Sequence, residues 1–120
     1  MGSGMPRDYK LFLEDILESI SHVRDFTKGM SEATFKNDKK TQYAVLRCLE
    51  IMGEATINVP ERIRDRYPQI PWRKIRSFRN ISTHHYWEID VGIAWDISHK
   101  FLDDLEQEIQ RTLNDMNTCE

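Results

Sequence analysis

The feature that most limits what this chain can fold into is the spacing of apolar residues near its C-terminal end. Val91, Ala94, Trp95, Ser98, Phe101, Leu102, Leu105, Ile109 and Leu113 recur at three- and four-residue intervals, which gathers them on one side of an α-helix. A stripe of that length has to be covered by other helices, and the rest of the chain supplies them. Behind Asp8, a residue suited to capping, Tyr9, Phe12, Leu13, Ile16, Leu17, Ile20 and Val23 repeat the pattern, and Gly29 marks the end. A second long helix, from about Asp38 to Asn58, turns Val45, Leu46, Leu49, Met52 and Ile57 inward before Pro60 closes it.

The shorter pieces follow from turn chemistry. Ser31 to Lys40 is polar apart from Ala33 and Phe35, with Ser31 and Thr34 as caps for a short helical turn. Pro60 suits the first turn of a short basic helix that stops before Pro68. Pro71 opens another helix, Trp72 to about Thr83, with Ile75, Phe78 and either Ile81 or Ser82 facing the core. After a loop at His85 to Ile89, Asp90 caps the last helix. No alternating run long enough to read as a strand competes with this pattern. The expected fold class is all-α, an antiparallel four-helix bundle with an extra short helix.

A chain of 120 residues accommodates one such domain. Met1-Gly2-Ser3-Gly4, ahead of a second methionine, is expected to be an expression leader, with residues 5–117 as the domain and 118–120 as a tail. Charged residues make up 31% and hydrophobic residues 39%, a globular balance rather than a disordered one. No apolar run approaches the ~20 residues of a membrane span. Cys48 and Cys119 have no cysteine or histidine cluster near them and read as free thiols of a reducing compartment, so a cytoplasmic location is expected.

A net charge of −3 argues against a generally basic nucleic-acid binder, but the charge is unevenly spread. From Glu61 to Arg79 there are seven basic residues (Arg62, Arg64, Arg66, Arg73, Lys74, Arg76, Arg79) against two acidic ones. From Glu88 onward two basic residues face nine acidic ones. A polyanion is drawn to the first segment and repelled by the second, which makes Arg73, Lys74 and Arg76 candidates for holding RNA. A charge run of this kind is also what a solvated helix face looks like.

The basic run leads into Arg79-Asn80-Ile81-Ser82-Thr83-His84-His85-Tyr86. A guanidinium can clamp a phosphate through two parallel hydrogen bonds, and an imidazole can move a proton near neutral pH. On a helix, Asn80 and His84 lie one turn apart on a shared face, with Arg79 beside them. Cleavage of RNA by its own 2′-hydroxyl needs a base, an acid and positive charge on the forming phosphorane. One histidine performs one proton transfer at a time. A twofold homodimer with two motif helices in its cleft would supply two histidines and two arginines. Spacing alone leaves this open, because an Arg and a His five apart also occur in purely structural helices. His22 and His99 have no partner at metal-like spacing, and neither a metal nor a cofactor is expected.

These residues carry a resemblance. Arg79-Asn80-x-x-x-His84-x-Tyr86 resembles the Arg-x-x-x-x-His-x-Tyr motif of HepT-like ribonucleases, toxin members of the HEPN superfamily. Gly53-Glu54-Ala55, Pro71-Trp72, Asp90 and Trp95 fall where that family places such residues, and the resemblance spans about Met5 to Asn117. Ser82 and His85 depart from the family pattern, His85 by setting a second imidazole beside the first. The resemblance implies a HEPN-like helical dimer acting as a metal-independent endoribonuclease, with Arg79 and His84 catalytic and Asn80 in support. It also implies a partner, an MNT-type nucleotidyltransferase antitoxin that silences the toxin by transferring AMP to Tyr86. The alternative is a non-catalytic helical dimer that binds RNA or nucleotide beside a nucleotidyltransferase.

Other residues keep two readings. Glu54 is either a half-buried acid paired with an arginine or an orienting group for Arg79. Gly53 reads as a close approach of two helices. Trp72 and Trp95 read as core anchors ahead of base-stacking platforms, and Trp87 as either packing or stacking.

Overall fold

The computed structural model describes residues 9–80 and 91–118, so Asp8, His84, His85, Tyr86, Trp87, Asp90 and Cys119 lie outside it. Every regular element among the described residues is helical, as the periodicity requires: α1 (Tyr9–Thr27), α2 (Glu32–Lys36), α3 (Lys39–Ile57), α4 (Glu61–Arg66) and α5 (Trp72–Ser77). A 3₁₀ turn (Phe78–Asn80) continues α5. Then come α6 (Val91–Asp96), a π-helical turn (Ile97–Phe101) and α7 (Leu102–Thr118).

The ends are set by the residues expected to set them. Gly29 takes φ +78° just past α1, the left-handed conformation that stops a helix. Ser31 and Thr34 form a reciprocal capping box at α2. Asp38 accepts hydrogen bonds from the Thr41 backbone N–H and hydroxyl, which hold its carboxyl below the usual range. Pro60 and Pro71 stand at the N-terminal boundaries of α4 and α5.

The core joins Leu13, Ile16, Ile20 and Val23 of α1 to Val45, Leu49 and Met52 of α3 and Leu102, Leu105 and Ile109 of the last rod. At ~25 cal/mol per Å² of apolar surface removed from water, this burial is the main force closing the bundle. Phe35, the one large apolar residue of a polar stretch, is completely buried. Helix α1 runs antiparallel to α7: Lys10 reaches Asn117 at 3.3 Å, while Arg24, at the other end of α1, bridges Asp103 and Glu106 at 2.7 Å each. Those two carboxylates raise the Arg24 pKa further. Tyr67 donates a 2.6 Å hydrogen bond to Asp115 and pins the α4–α5 connection to the far end of α7. Burial pushes the Cys48 thiol up in pKa, the behaviour of an inert core cysteine.

Three expectations need correction. Helix α5 stops being α-helical at Ser77 and tightens into the 3₁₀ turn, so Arg79 and Asn80 sit in that turn rather than in an α-helix, and Ile81, Ser82 and Thr83 lie outside the described residues. Such tightening is usual where a helix ends against a close neighbour. The last rod is not uniform either. The Leu102 N–H reaches back to Ile97 O, five residues rather than four, and Ser98 and Leu102 are both buried across this π turn. Ile57, expected inside, is 37% exposed because it falls on the outward side of α3 with Ile51 and Glu54, while Thr56 beside it is fully buried. Among the described residues no helix is long and apolar enough to cross a membrane.

Candidate active site

Gly53 sits where α3 meets the segment that carries Arg79. A Cβ at Gly53 would lie 2.6 Å from the Arg79 backbone N, 3.0 Å from Ile75 O and 3.1 Å from the Arg79 Cβ. Real Cβ atoms do not approach backbone so closely, so the 3₁₀ turn rests on α3 only because position 53 has no side chain. The residues around Arg79 are held from the other sides too. Ile75 and Phe78 are buried, and Phe78 packs edge-on against Phe101 of the π turn, with ring centroids 5.8 Å apart. The backbone at position 79 is therefore fixed while its side chain projects outward.

The next residue of α3 meets that side chain. Glu54 Oε2 lies 3.6 Å from Arg79 Nε, in a pair whose side chains are 61% and 46% exposed. Glu54 is thus not the half-buried acid expected of it, although it does pair with the arginine. A solvated pair of this kind contributes ~0–1 kcal/mol to stability. Its geometric effect is to draw the Nε edge toward α3. Arg79 and Asn80 form one wall of a groove of about 470 Å³, completed by Arg47, Glu50, Ile51 and Glu54. Arg47, which forms an ion pair with Glu50, is a groove residue that sequence reading missed. Its signal was present, because Arg47, Ile51 and Glu54 recur at helical spacing on one side of α3.

The three RNA-binding candidates divide. All are exposed on α5, but Lys74 places its ammonium 4.7 Å above the Phe101 ring, a cation–π contact. Arg73 and Arg76 instead line a second groove, of about 520 Å³, with Trp72. The indole of Trp72 is fixed by donating from Nε1 to the Arg64 and Tyr67 carbonyls, at 3.1 and 3.0 Å. Trp95 packs near Phe35 and stacks on His99, centroids 3.7 Å apart, so His99 lies on an exposed helix face with its Nδ1 3.0 Å from Trp95 O. His84 and Tyr86 fall outside the described residues. Among the described residues no group of three or more His, Cys, Asp or Glu is placed to hold a metal ion.

Comparison with known proteins bears on this arrangement. The model of the family described as ribonuclease HepT-like matches residues 16–112. A candidate RNase of Methanocaldococcus jannaschii is 42% identical over 113 residues, covering 93% of each chain. A candidate ribonuclease HepT of Thermococcus cleftensis is 43% identical over 91 residues, 76% of this chain and 83% of that one. A candidate RNase of Caldanaerobacter subterraneus is 32% identical over 108 residues, 90% of this chain and 94% of that one. No solved structure matches. The matched stretch contains the whole seat, from Gly53 and Glu54 to Arg79, and the chain belongs to the HepT-like ribonuclease family.

Proposed function

We propose that the chain is a metal-independent endoribonuclease, the toxin of a HEPN/MNT toxin–antitoxin pair, with Arg79 and His84 as its catalytic residues and Asn80 in support. The observation that carries this reading is the seat of Arg79: a guanidinium on a backbone fixed against Gly53, projecting beside Asn80 into an open groove. Positive charge delivered from a fixed backbone position is what a forming phosphorane needs.

The chemistry is transesterification. The 2′-oxygen attacks the adjacent phosphorus and gives its proton to one imidazole, the P–O5′ bond breaks, and a second, protonated imidazole supplies the proton that the 5′-oxygen takes up. The products are a 2′,3′-cyclic phosphate and a 5′-hydroxyl. Two imidazoles at one phosphate call for two copies of His84, hence a homodimer. Support for a shared face comes from α3, where Tyr43 and Ile51 are 48% and 38% exposed at the same helical spacing as Arg47 and Glu54. Silencing would come from an MNT-type nucleotidyltransferase. The Tyr86 phenol oxygen would attack the α-phosphate of ATP, release pyrophosphate and leave an AMP group whose charge and bulk block the cleft.

The test is cleavage of single-stranded or tRNA-like RNA by the purified chain in excess EDTA, with the product ends identified. Retained cleavage leaving 2′,3′-cyclic phosphate is expected; metal dependence or 5′-phosphate products would refute the mechanism. His84→Ala should lose ~10²–10⁴-fold in rate, and His85→Ala far less.

A further inference from the structure

We infer that the groove beside Trp72 is a second RNA subsite, which takes a base of the single-stranded substrate against the indole while Arg73 and Arg76 hold its phosphates. This rests on RNA as the substrate, and it adds a place for the strand away from the scissile bond.

Three observations converge there. The groove is lined by Arg64, Pro68, Pro71, Trp72, Arg73 and Arg76, with Glu61 and Asp65 also on its wall, and it is a wide, solvent-open depression of about 520 Å³, the shape of a surface track for a strand rather than an enclosing pocket. Ion pairs among the described residues engage Arg24, Arg47, Arg79 and Arg111, but none engages Arg64, Arg73 or Arg76. Cations not drawn into contact ion pairs, beside a fixed aromatic ring, are what a sequence-tolerant single-strand site requires: stacking for the base and charge for the backbone. Trp72 suits the part because the two hydrogen bonds from its Nε1 set the ring before any ligand arrives. The carboxylates are acceptors for exocyclic amino groups of a base.

The groove also lies on the path to Arg79. Trp72, Arg76 and Arg79 fall at i, i+4 and i+7, on one side of the rod formed by α5 and the 3₁₀ turn. Arg76 and Arg79 are separated by about 5 Å along the axis, from ~1.5 Å rise per α-helical and ~2.0 Å per 3₁₀ residue. A strand laid along this side passes from the indole to the groove of Arg79. Lys74, over Phe101, stands off that path.

The experiment is binding of a short fluorescein-labelled 2′-O-methyl RNA, which cannot be cleaved, read by anisotropy over a salt series. The full chain, Arg73→Ala/Arg76→Ala and Trp72→Leu are compared, with inorganic polyphosphate as a base-free competitor. The double variant should bind about tenfold more weakly, and its slope against log salt should be shallower by about 1.4, two phosphates at ~0.7 each. Trp72→Leu should lose about tenfold for RNA and keep its affinity for polyphosphate. Wild-type affinity and slope in the double variant overturn the subsite, as does failure of the wild-type chain to bind the RNA. A Trp72→Leu loss equal for RNA and polyphosphate overturns the stacking role. Intact RNA binding with lost binding of a nucleotidyltransferase assigns the face to a protein and overturns the inference. Parallel cleavage assays separate the two readings: a wild-type chain that binds through these residues but does not cut keeps the subsite and removes the nuclease.

Discussion

Helix α3 meets α1 along one side and the α5–3₁₀ rod along another, and the two seams are built from different materials. Toward the core it presents Val45, Leu49 and Met52, fully buried among the side chains of α1 and the last rod. Toward the rod it presents Gly53, on which backbone lies directly. Side chains can repack around a changed neighbour, whereas backbone in contact with a glycine has nowhere to go. The first seam should therefore govern whether the chain folds, and the second where Arg79 stands.

Breaking the first seam gives the largest expected loss of stability. Leu49→Ala leaves a cavity in the core and should cost ~2–5 kcal/mol by denaturant unfolding, while cleavage per folded molecule stays near wild type. Breaking the second should reverse the pattern. Gly53→Ala introduces a carbon 2.6 Å from the Arg79 backbone N. It should cost ~1–3 kcal/mol by overpacking, and by displacing the guanidinium it should cut the cleavage rate by about 10²-fold. If both variants lose activity only in proportion to unfolded protein, the distinction between the seams fails. Glu54→Gln sharpens it at the smallest scale. The pair with Arg79 is solvated, so thermal stability should change by less than ~0.5 kcal/mol, with a few-fold change in cleavage that fades at high salt.

Much of the first seam was legible in the sequence, because a buried helix face writes itself as a three-to-four-residue period. The boundaries at Gly29, Ser31, Asp38, Pro60 and Pro71 were legible for the same local reason, since each residue there acts through its own backbone or a neighbour's. Winding was not. The 3₁₀ turn at Phe78–Asn80 and the π turn at Ile97–Phe101 leave the apolar positions on the buried side, so periodicity reads the same with or without them. The inward side of α3 near its end is misread from apolar character alone: Ile57 is apolar, but its spacing sets it with the exposed Ile51 and Glu54, and the fully buried neighbour is the polar Thr56. Within the candidate site, Gly53 was read correctly as a close approach, yet what approached it needed coordinates. Arg47 went unnoticed although it shares a side of α3 with Ile51 and Glu54, because only the arrival of Arg79 and Asn80 from another element makes that side a groove. Trp72 read as a core anchor, and it is packed against the core, but it also forms the wall of a basic groove.

The most direct test of the account is single-turnover RNA cleavage by Arg79→Ala beside the wild-type chain in excess EDTA, with circular dichroism to check the helices. The seated guanidinium predicts an unchanged helical spectrum and a rate at least ~10²-fold lower. Equal rates from the two proteins would contradict the claim that the groove at Gly53 and Arg79 is where RNA is cut.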